Sequence, residues 1–171
     1  ALSGQVSAAD PTVADYPFTT LAPSLGVVRL GTDASFVMAD IPGVIVGAAD
    51  GAGLGSQFLR HLSRNRVLLH LIDVVPEDES DPIANCESIE AELEAYSKAL
   101  KERPIWIVLS KVDQLEDGEV DALRGRFESK YPERKICAVS ALGDIGLTSL
   151  TQELMQFLSS VGGQYHSFTQ C

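Results

Sequence analysis

Long apolar runs are missing from this sequence: none approaches the roughly 18 residues that a membrane-spanning helix requires. The N-terminus carries neither the basic block nor the apolar block of a signal peptide. These absences argue against an integral or exported protein, and a cytoplasmic location with no membrane partner is expected. Positive charge is also scarce, with 13 Lys and Arg against 24 Asp and Glu and a net charge of −11. Nonspecific attraction to a polyanion is thereby disfavoured, and the chain gives no direct nucleic-acid signal, so any RNA contact must be local. Cysteine is sparse and widely spaced: Cys86, Cys137 and Cys171 are odd in number and at no metal-ligand spacing, which leads to reduced structural thiols without assigned chemistry. What the 171 residues do contain is 45% hydrophobic side chains, enough for one compact domain with a sizeable core. Position 1 is Ala rather than Met, as expected of a fragment or a processed product.

Short β-prone runs at Val27 to Leu30 and Ser35 to Ala39 flank Gly31-Thr32-Asp33-Ala34, a connection of hairpin length, and read as an antiparallel pair. Val67 to Ile72, Ile105 to Leu109 and Ile136 to Val139 are nearly continuous in apolar residues. Strands of a parallel sheet covered on both faces have this pattern. Helical spacing marks about Gly53 to Asn65, then Ile89, Leu93, Tyr96 and Leu100 ahead of Arg103-Pro104. It recurs at Val120, Leu123 and Phe127, and finally from Leu147 to Leu158. Strands alternating with helices predict an α/β, doubly wound, mostly parallel sheet with one antiparallel hairpin and ligand groups at the strands' carboxyl ends. Residues 162–171, opening with Gly162-Gly163, read as a C-terminal tail.

Chemistry-bearing residues follow these strands. Asp40-Ile41-Pro42-Gly43 places a carboxylate suited to a water-held Mg²⁺ beside a glycine whose N–H a phosphate can approach closely. As an isolated tetrapeptide it is an ordinary turn. Ser110-Lys111-Val112-Asp113 offers a carboxylate that can accept from both N1–H and the exocyclic amine of guanine, a donor pair adenine lacks. The Lys111 stem can lie on the base while its ammonium stays in water. Ser140-Ala141-Leu142 can present a backbone N–H to a base carbonyl. Upstream, Tyr16-Pro17-Phe18-Thr19-Thr20 supplies hydroxyls that could complete a metal's ligand set. Each element alone is weak, but their serial order is that of a guanine-nucleotide site.

From about Val6 to Leu158 the sequence resembles the Obg family of GTPases. The resemblance rests on Ser7-Ala8-Ala9, Pro11, Val13 to Leu21, Asp40 to Ile45, and Gly47 to Gly55. It implies a P-loop NTPase-like fold with residues 1–161 as a partial OBG-type G domain. GTP or GDP would be the ligand and Mg²⁺ the cofactor, and the family role is in large ribosomal subunit assembly. By resemblance Phe18, Thr19, Thr20, Leu21 and Ala22 form the first switch, with Thr20 a magnesium ligand and Asp40 a second one acting through water. Asp40, Ile41, Pro42 and Gly43 open the second switch. Ser110, Lys111, Val112 and Asp113 read guanine, and Ser140, Ala141 and Leu142 support the base.

Two departures from the family pattern matter. Asn is usual where Ser110 stands, so one hydrogen bond worth about 1 kcal/mol would be shortened or lost. In addition, family members carry a strand and a G-x-x-x-x-G-K-[ST] loop ahead of the helix that leads to Ser7, and that loop does not occur among these residues. The expected sheet therefore lacks its first, central strand and its P-loop, leaving unpaired neighbours. The phosphates would lose their usual cradle, and GTPase activity would be impaired. No catalytic residue is assigned. Val44 stands where many small GTPases have glutamine, which implies slow turnover by positioning and electrostatics. The alternative is an inactive fragment or binding module that keeps the Obg-like surface. A dinucleotide-binding reading of Gly47, Gly51 and Gly53 with Asp73 as ribose acid fails, because only three residues separate Gly47 from Gly43 and Leu100 stands where Tyr96 would need a lysine. His61 and His70 fall in packing patterns and His166 in the tail.

Overall fold

The computed structural model describes residues 24–29, 35–40, 65–96, 98, 102–161 and 167–170. Among these residues six strands form one sheet: β1 (Ser24–Arg29), β2 (Ser35–Asp40), β3 (Val67–Asp73), β4 (Ile105–Ser110), β5 (Ile136–Ala138) and β6 (Ser167–Gln170). Among the described residues three α-helices are interleaved with the later strands, α1 (Pro82–Tyr96), α2 (Asp117–Lys130) and α3 (Leu147–Val161). The spatial order is β1-β2-β6-β3-β4-β5. β1 and β2 pair antiparallel from Ser24 opposite Asp40 to Arg29 opposite Ser35, which is the expected hairpin. Every other pairing is parallel, as the α/β reading requires.

The strand sequences explain the layering. Alternate residues of a strand face opposite sides of the sheet, and in β3 and β4 both sides are apolar. Val67, Leu69, Trp106 and Val108 pack with Leu147, Leu150, Leu154 and Leu158 of α3 on one face. Ile72, Ile107 and Leu109 pack with Cys86 of α1 and Leu123 and Phe127 of α2 on the other. The buried residues of α3 recur at three- and four-residue spacing, giving the stripe that a helix needs to cover a sheet. α2 begins with a capping box, in which Glu116 and Glu119 satisfy each other's backbone N–H groups, and it ends where Tyr131 N–H donates to Phe127 O at 2.8 Å. α1 starts seven residues before the first apolar position that marked it, at Pro82. Proline suits a first helical position because the N–H it lacks would have no helical partner there. Among the described residues no helix is long and apolar enough to cross a membrane. The helix expected from about Gly53 to Asn65 lies outside the described residues except for Asn65 itself.

The centre of the sheet differs from expectation. The place between β2 and β3 was expected to be vacant and residues 162–171 to be a tail, whereas β6 occupies that place, parallel to both neighbours. Val37 to Asp40 pair with Ser167 to Gln170, and Phe168 to Gln170 pair in turn with Val67 to Leu69. Two facing strand edges with unpaired N–H and C=O groups form a strong template for any extended segment, and that template outweighs the weak strand character of Ser-Phe-Thr-Gln.

The core also contains a histidine. His70 on β3 is 2% exposed, and burial, reinforced by the charge of Arg134, lowers its pKa from 6.5 to about 4. The folded state therefore holds a neutral imidazole at pH values where the unfolded chain is protonated. Stability is intact above pH 6.5 and is lost as pH falls through 6.5 toward 4. The loss should approach about 3 kcal/mol at the acid end, at 1.36 kcal/mol for each unit of pKa. Urea denaturation at pH 7 and pH 4.5 in chelator-containing buffer checks this. The wild-type loss should exceed that of His70→Gln by about 2 kcal/mol, and equal losses would refute it.

Candidate functional site

Because β2, β6, β3, β4 and β5 are mutually parallel, their carboxyl ends line one edge of the sheet. Asp40 ends β2 and aligns with Gln170, while Asp73 ends β3 and aligns with Ser110 at the end of β4. The chain leaves β4 through Lys111, whose φ of 64° places it in the left-handed region, and enters a 3₁₀ turn at Val112–Gln114. That turn directs Asp113 toward the segment following β5, and Val112 N–H donates to Val139 O at 3.3 Å.

Two side-chain pairs organise this edge. Ser140 Oγ donates a hydrogen bond to Asp113 Oδ1, joining two of the four segments that the motifs singled out. Ser140 is fully buried, and its Oγ also accepts from Gly143 N–H at 2.8 Å, so the hydroxyl is held from both sides. The carboxylate it anchors remains exposed at the edge, with acceptor capacity for two donors from a ligand. The second pair links Lys111 Nζ to Asp73 Oδ2. Hydrogen bonding to Asp73 raises the lysine pKa, and the charge of Asp73 acts in the same direction. Asp73 is itself fixed through Oδ1, which accepts from Val75 N–H at 3.0 Å. It has no place among the expected guanine-reading residues. The signal in the sequence is an acid closing an apolar strand, which on its own also fits a ribose-binding acid.

The remaining expected residues divide clearly. Ser110 Oγ donates to Ile72 O at 2.9 Å, so this side chain ties β4 to β3. Val112 is buried in the core, Ala141 is half-buried, and Leu142 is 87% exposed. Phe18 to Ala22 and Ile41 to Gly43 lie outside the described residues, and Asp40 is described only as the last residue of β2. The loop after β5 closes on itself, with Ser140 N–H donating to Ile145 O and Ile145 N–H to Ser140 O, both at 3.0 Å.

Gly146 makes that closure feasible. Its φ is +70°, and a Cβ there would lie 2.2 Å from Ala138 O, a backbone atom that cannot swing away. Gly146→Ala should cost about 2 kcal/mol and loosen Ser140 from Asp113. Urea unfolding should show the stability loss, and a variant as stable as wild type would contradict the assignment.

Comparison with known proteins agrees with this architecture. Residues 1–111 match the family model described as 50S ribosome-binding GTPase. Among solved structures, Aquifex aeolicus Era bound to GDP and AlF4⁻ superposes with a TM-score of 0.67 at 21% identity, covering 96% of this chain and 53% of that one. Era in complex with MgGDPNP and nucleotides 1506–1542 of 16S ribosomal RNA gives 0.68 at 21% identity, over 95% of this chain and 53% of that one. A Plasmodium falciparum nucleolar GTP-binding protein 1 gives 0.66 at 16% identity, over 94% and 79%. The chain thus spans little more than half the length of the Era chains it matches. Family match and shared α/β architecture agree: the chain belongs to the 50S ribosome-binding GTPase family and has the fold of a GTPase G domain.

Proposed function

We propose that the chain binds guanine nucleotides at the carboxyl edge of its sheet, with Asp113 reading the base. The observation that carries this reading is the Ser140 to Asp113 hydrogen bond, which fixes an exposed carboxylate where the segments after β4 and β5 meet. A carboxylate held on one oxygen loses little further freedom when it accepts two parallel donors, and guanine presents such a pair. Lys111, drawn over the edge by Asp73, flanks the base with its stem. Ala141 and Leu142 supply backbone N–H groups toward the base carbonyl.

The resemblance to Obg proteins deepens the reading. Thr20 and Asp40 would hold Mg²⁺. The fit rests on Asp40, which lies at the same sheet edge as Asp73 and Ser110 and offers the hard oxygen donor this cation prefers. Bound magnesium would supply charge neutralisation to the phosphates. Turnover would be slow, since Val44 cannot orient a water as a glutamine does. The Obg resemblance suggests a cytoplasmic role in large ribosomal subunit assembly, and the 16S ribosomal RNA in the Era complex supports a ribosomal RNA partner without favouring the large subunit.

A second reading is a binding module that keeps this surface without turnover. One observation favours it: the central strand position is filled by β6, from within the chain. The deciding experiment titrates fluescently labelled GDP and GTP, in magnesium buffer, into the chain alone and into a version preceded by a family-type strand and phosphate loop. Guanine-selective binding by the extended version only supports an incomplete GTPase site. Tight binding by the chain alone would mean that another segment cradles the phosphates. Failure of both folded proteins to bind would remove the nucleotide reading.

A further inference from the structure

On the sheet face away from α3, three donor side chains of different chemistry converge. Cys86 and Glu90 are four residues apart on α1 and so share a face of the helix, and His70 projects toward them from β3. His70 Nδ1 lies 3.6 Å from Cys86 Sγ and 4.0 Å from Glu90 Oε1, and Cys86 Sγ lies 4.0 Å from the same oxygen. We propose that His70, Cys86 and Glu90 form a binding site for a borderline-soft divalent cation, with Zn²⁺ the best fit.

The argument begins with donor type. Thiolate with imidazole selects Zn²⁺ and its neighbours over Mg²⁺ or Ca²⁺, which take oxygen ligands. Geometry follows. Bond lengths of about 2.3 Å to sulfur and about 2.0 Å to nitrogen or oxygen put tetrahedral ligand edges at about 3.5 Å for S to N and about 3.3 Å for N to O. The His70 to Cys86 separation already matches such an edge. Glu90 Oε1 must move inward by about half an ångström, a small rotation for a side chain that is 18% exposed. Charge also balances, since one thiolate, one carboxylate and a neutral imidazole offset a dication. Burial keeps His70 neutral at physiological pH, and the tautomer with its proton on Nε2 offers the Nδ1 lone pair to a cation. Its Nε2 has no hydrogen-bond partner among the described residues, so the ring's polar contacts lie toward the cluster.

Three protein ligands leave a fourth position, and the cluster has a route to solvent. A groove lined by Glu87, Glu90, Glu94, Lys130, Tyr131 and Arg134 opens at Glu90. Cys86 is completely buried, and its thiol pKa is raised chiefly by burial. Metal binding therefore forms the metal–sulfur bond as the S–H bond breaks, and the proton leaves to solvent. Arg134 is the competitor. Its guanidinium contacts the same Glu90 Oε1 and lies 5.1 Å from the centre of the Tyr131 ring, so a cation must displace it from that oxygen. The site is guarded by a built-in positive charge.

The test uses the whole chain, reduced and stripped of metal, titrated with Co²⁺ as a spectroscopic probe and then with Zn²⁺ in competition. The expected result is one metal per chain, with tetrahedral visible bands, a thiolate-to-cobalt charge-transfer band, and displacement by Zn²⁺ but not by Mg²⁺. Cys86→Ser should abolish the charge-transfer band, while Cys137→Ser with Cys171→Ser should retain it. Glu90→Gln should weaken binding at least about tenfold, and Arg134→Gln should tighten it. If Cys86→Ser does not fold, slow alkylation of the native protein through its transient openings, followed over time by mass spectrometry, keeps the question open to refutation, because Zn²⁺ should slow labelling of the buried Cys86 more than that of the partly exposed Cys137. Absence of stoichiometric binding, a charge-transfer band surviving the folded Cys86→Ser variant, equal labelling of Cys86 with and without Zn²⁺, or weaker binding by Arg134→Gln would overturn the proposal.

Discussion

Asp113→Asn is expected to weaken GDP binding by about 10³-fold and to move base preference from guanine to xanthine, in the version of the chain that carries the phosphate loop. The direction follows from the partners of the side chain. Ser140 Oγ accepts from Gly143 N–H and donates to Asp113 Oδ1. An asparagine satisfies that hydroxyl best by keeping its carbonyl oxygen in the Oδ1 place, which leaves its amide nitrogen where Oδ2 had been. A donor then faces the exocyclic amine of guanine, two donors meet without an acceptor, and a desolvated hydrogen bond becomes a repulsion. Xanthine carries a carbonyl at that ring position and restores the match. Parallel titrations with labelled GDP and xanthosine diphosphate would read this directly. An asparagine variant that still preferred guanine would show that Asp113 does not read the base.

Thr169→Pro is the second large effect. In β6 this residue is paired with Ala39 of β2 on one side and Leu68 of β3 on the other. Proline removes an N–H from a strand with neighbours on both edges, and its ring is poorly accommodated inside a ladder. A loss on the order of 4 kcal/mol is expected, a large part of a typical domain's stability of about 5 to 15 kcal/mol. The damage should also be directional. β3, β4 and β5 retain one another, whereas β1 and β2 are linked to the rest of the sheet through β6. Native-state hydrogen exchange should show protection lost in residues 35–40 and kept in residues 105–110. Uniform protection in the variant would mean that β6 does not hold the hairpin.

These elements differ in how plainly the sequence announced them. Val67 to Asp73 and Ile105 to Ser110 were legible because a strand covered on both faces must be apolar at nearly every position. β6 was not, since Ser167-Phe168-Thr169-Gln170 has one strongly apolar residue and follows a glycine pair. Its conformation is set by the gap it enters, which is a tertiary demand that no local pattern carries. At the candidate site, the order of Ser110 to Asp113 and Ser140 to Leu142 indicated a shared edge, and the Ser140 to Asp113 bond joins them. The Lys111 to Asp73 pair was hidden because it depends on the register between β3 and β4. In the sequence Cys86 carries only the pattern of a structural thiol and His70 that of a packing residue. Both are buried, yet the earlier start of α1 at Pro82 brings Cys86 and Glu90 onto the helix face that meets His70.

The position of β6 also sets the order of events during folding. It is the last of the six strands in chain order, yet it pairs with β2, near the opposite end of the sequence. The hairpin and the β3 to β5 unit can each form from nearer contacts, but their union must wait for a closure that spans most of the chain. Such closures have a large entropic barrier and slow folding relative to locally wired domains. Until it occurs, two open strand edges face each other across an empty slot, and a neighbouring molecule's strand could enter as readily as the chain's own. Refolding yield should therefore fall as protein concentration rises, even where the native state is stable.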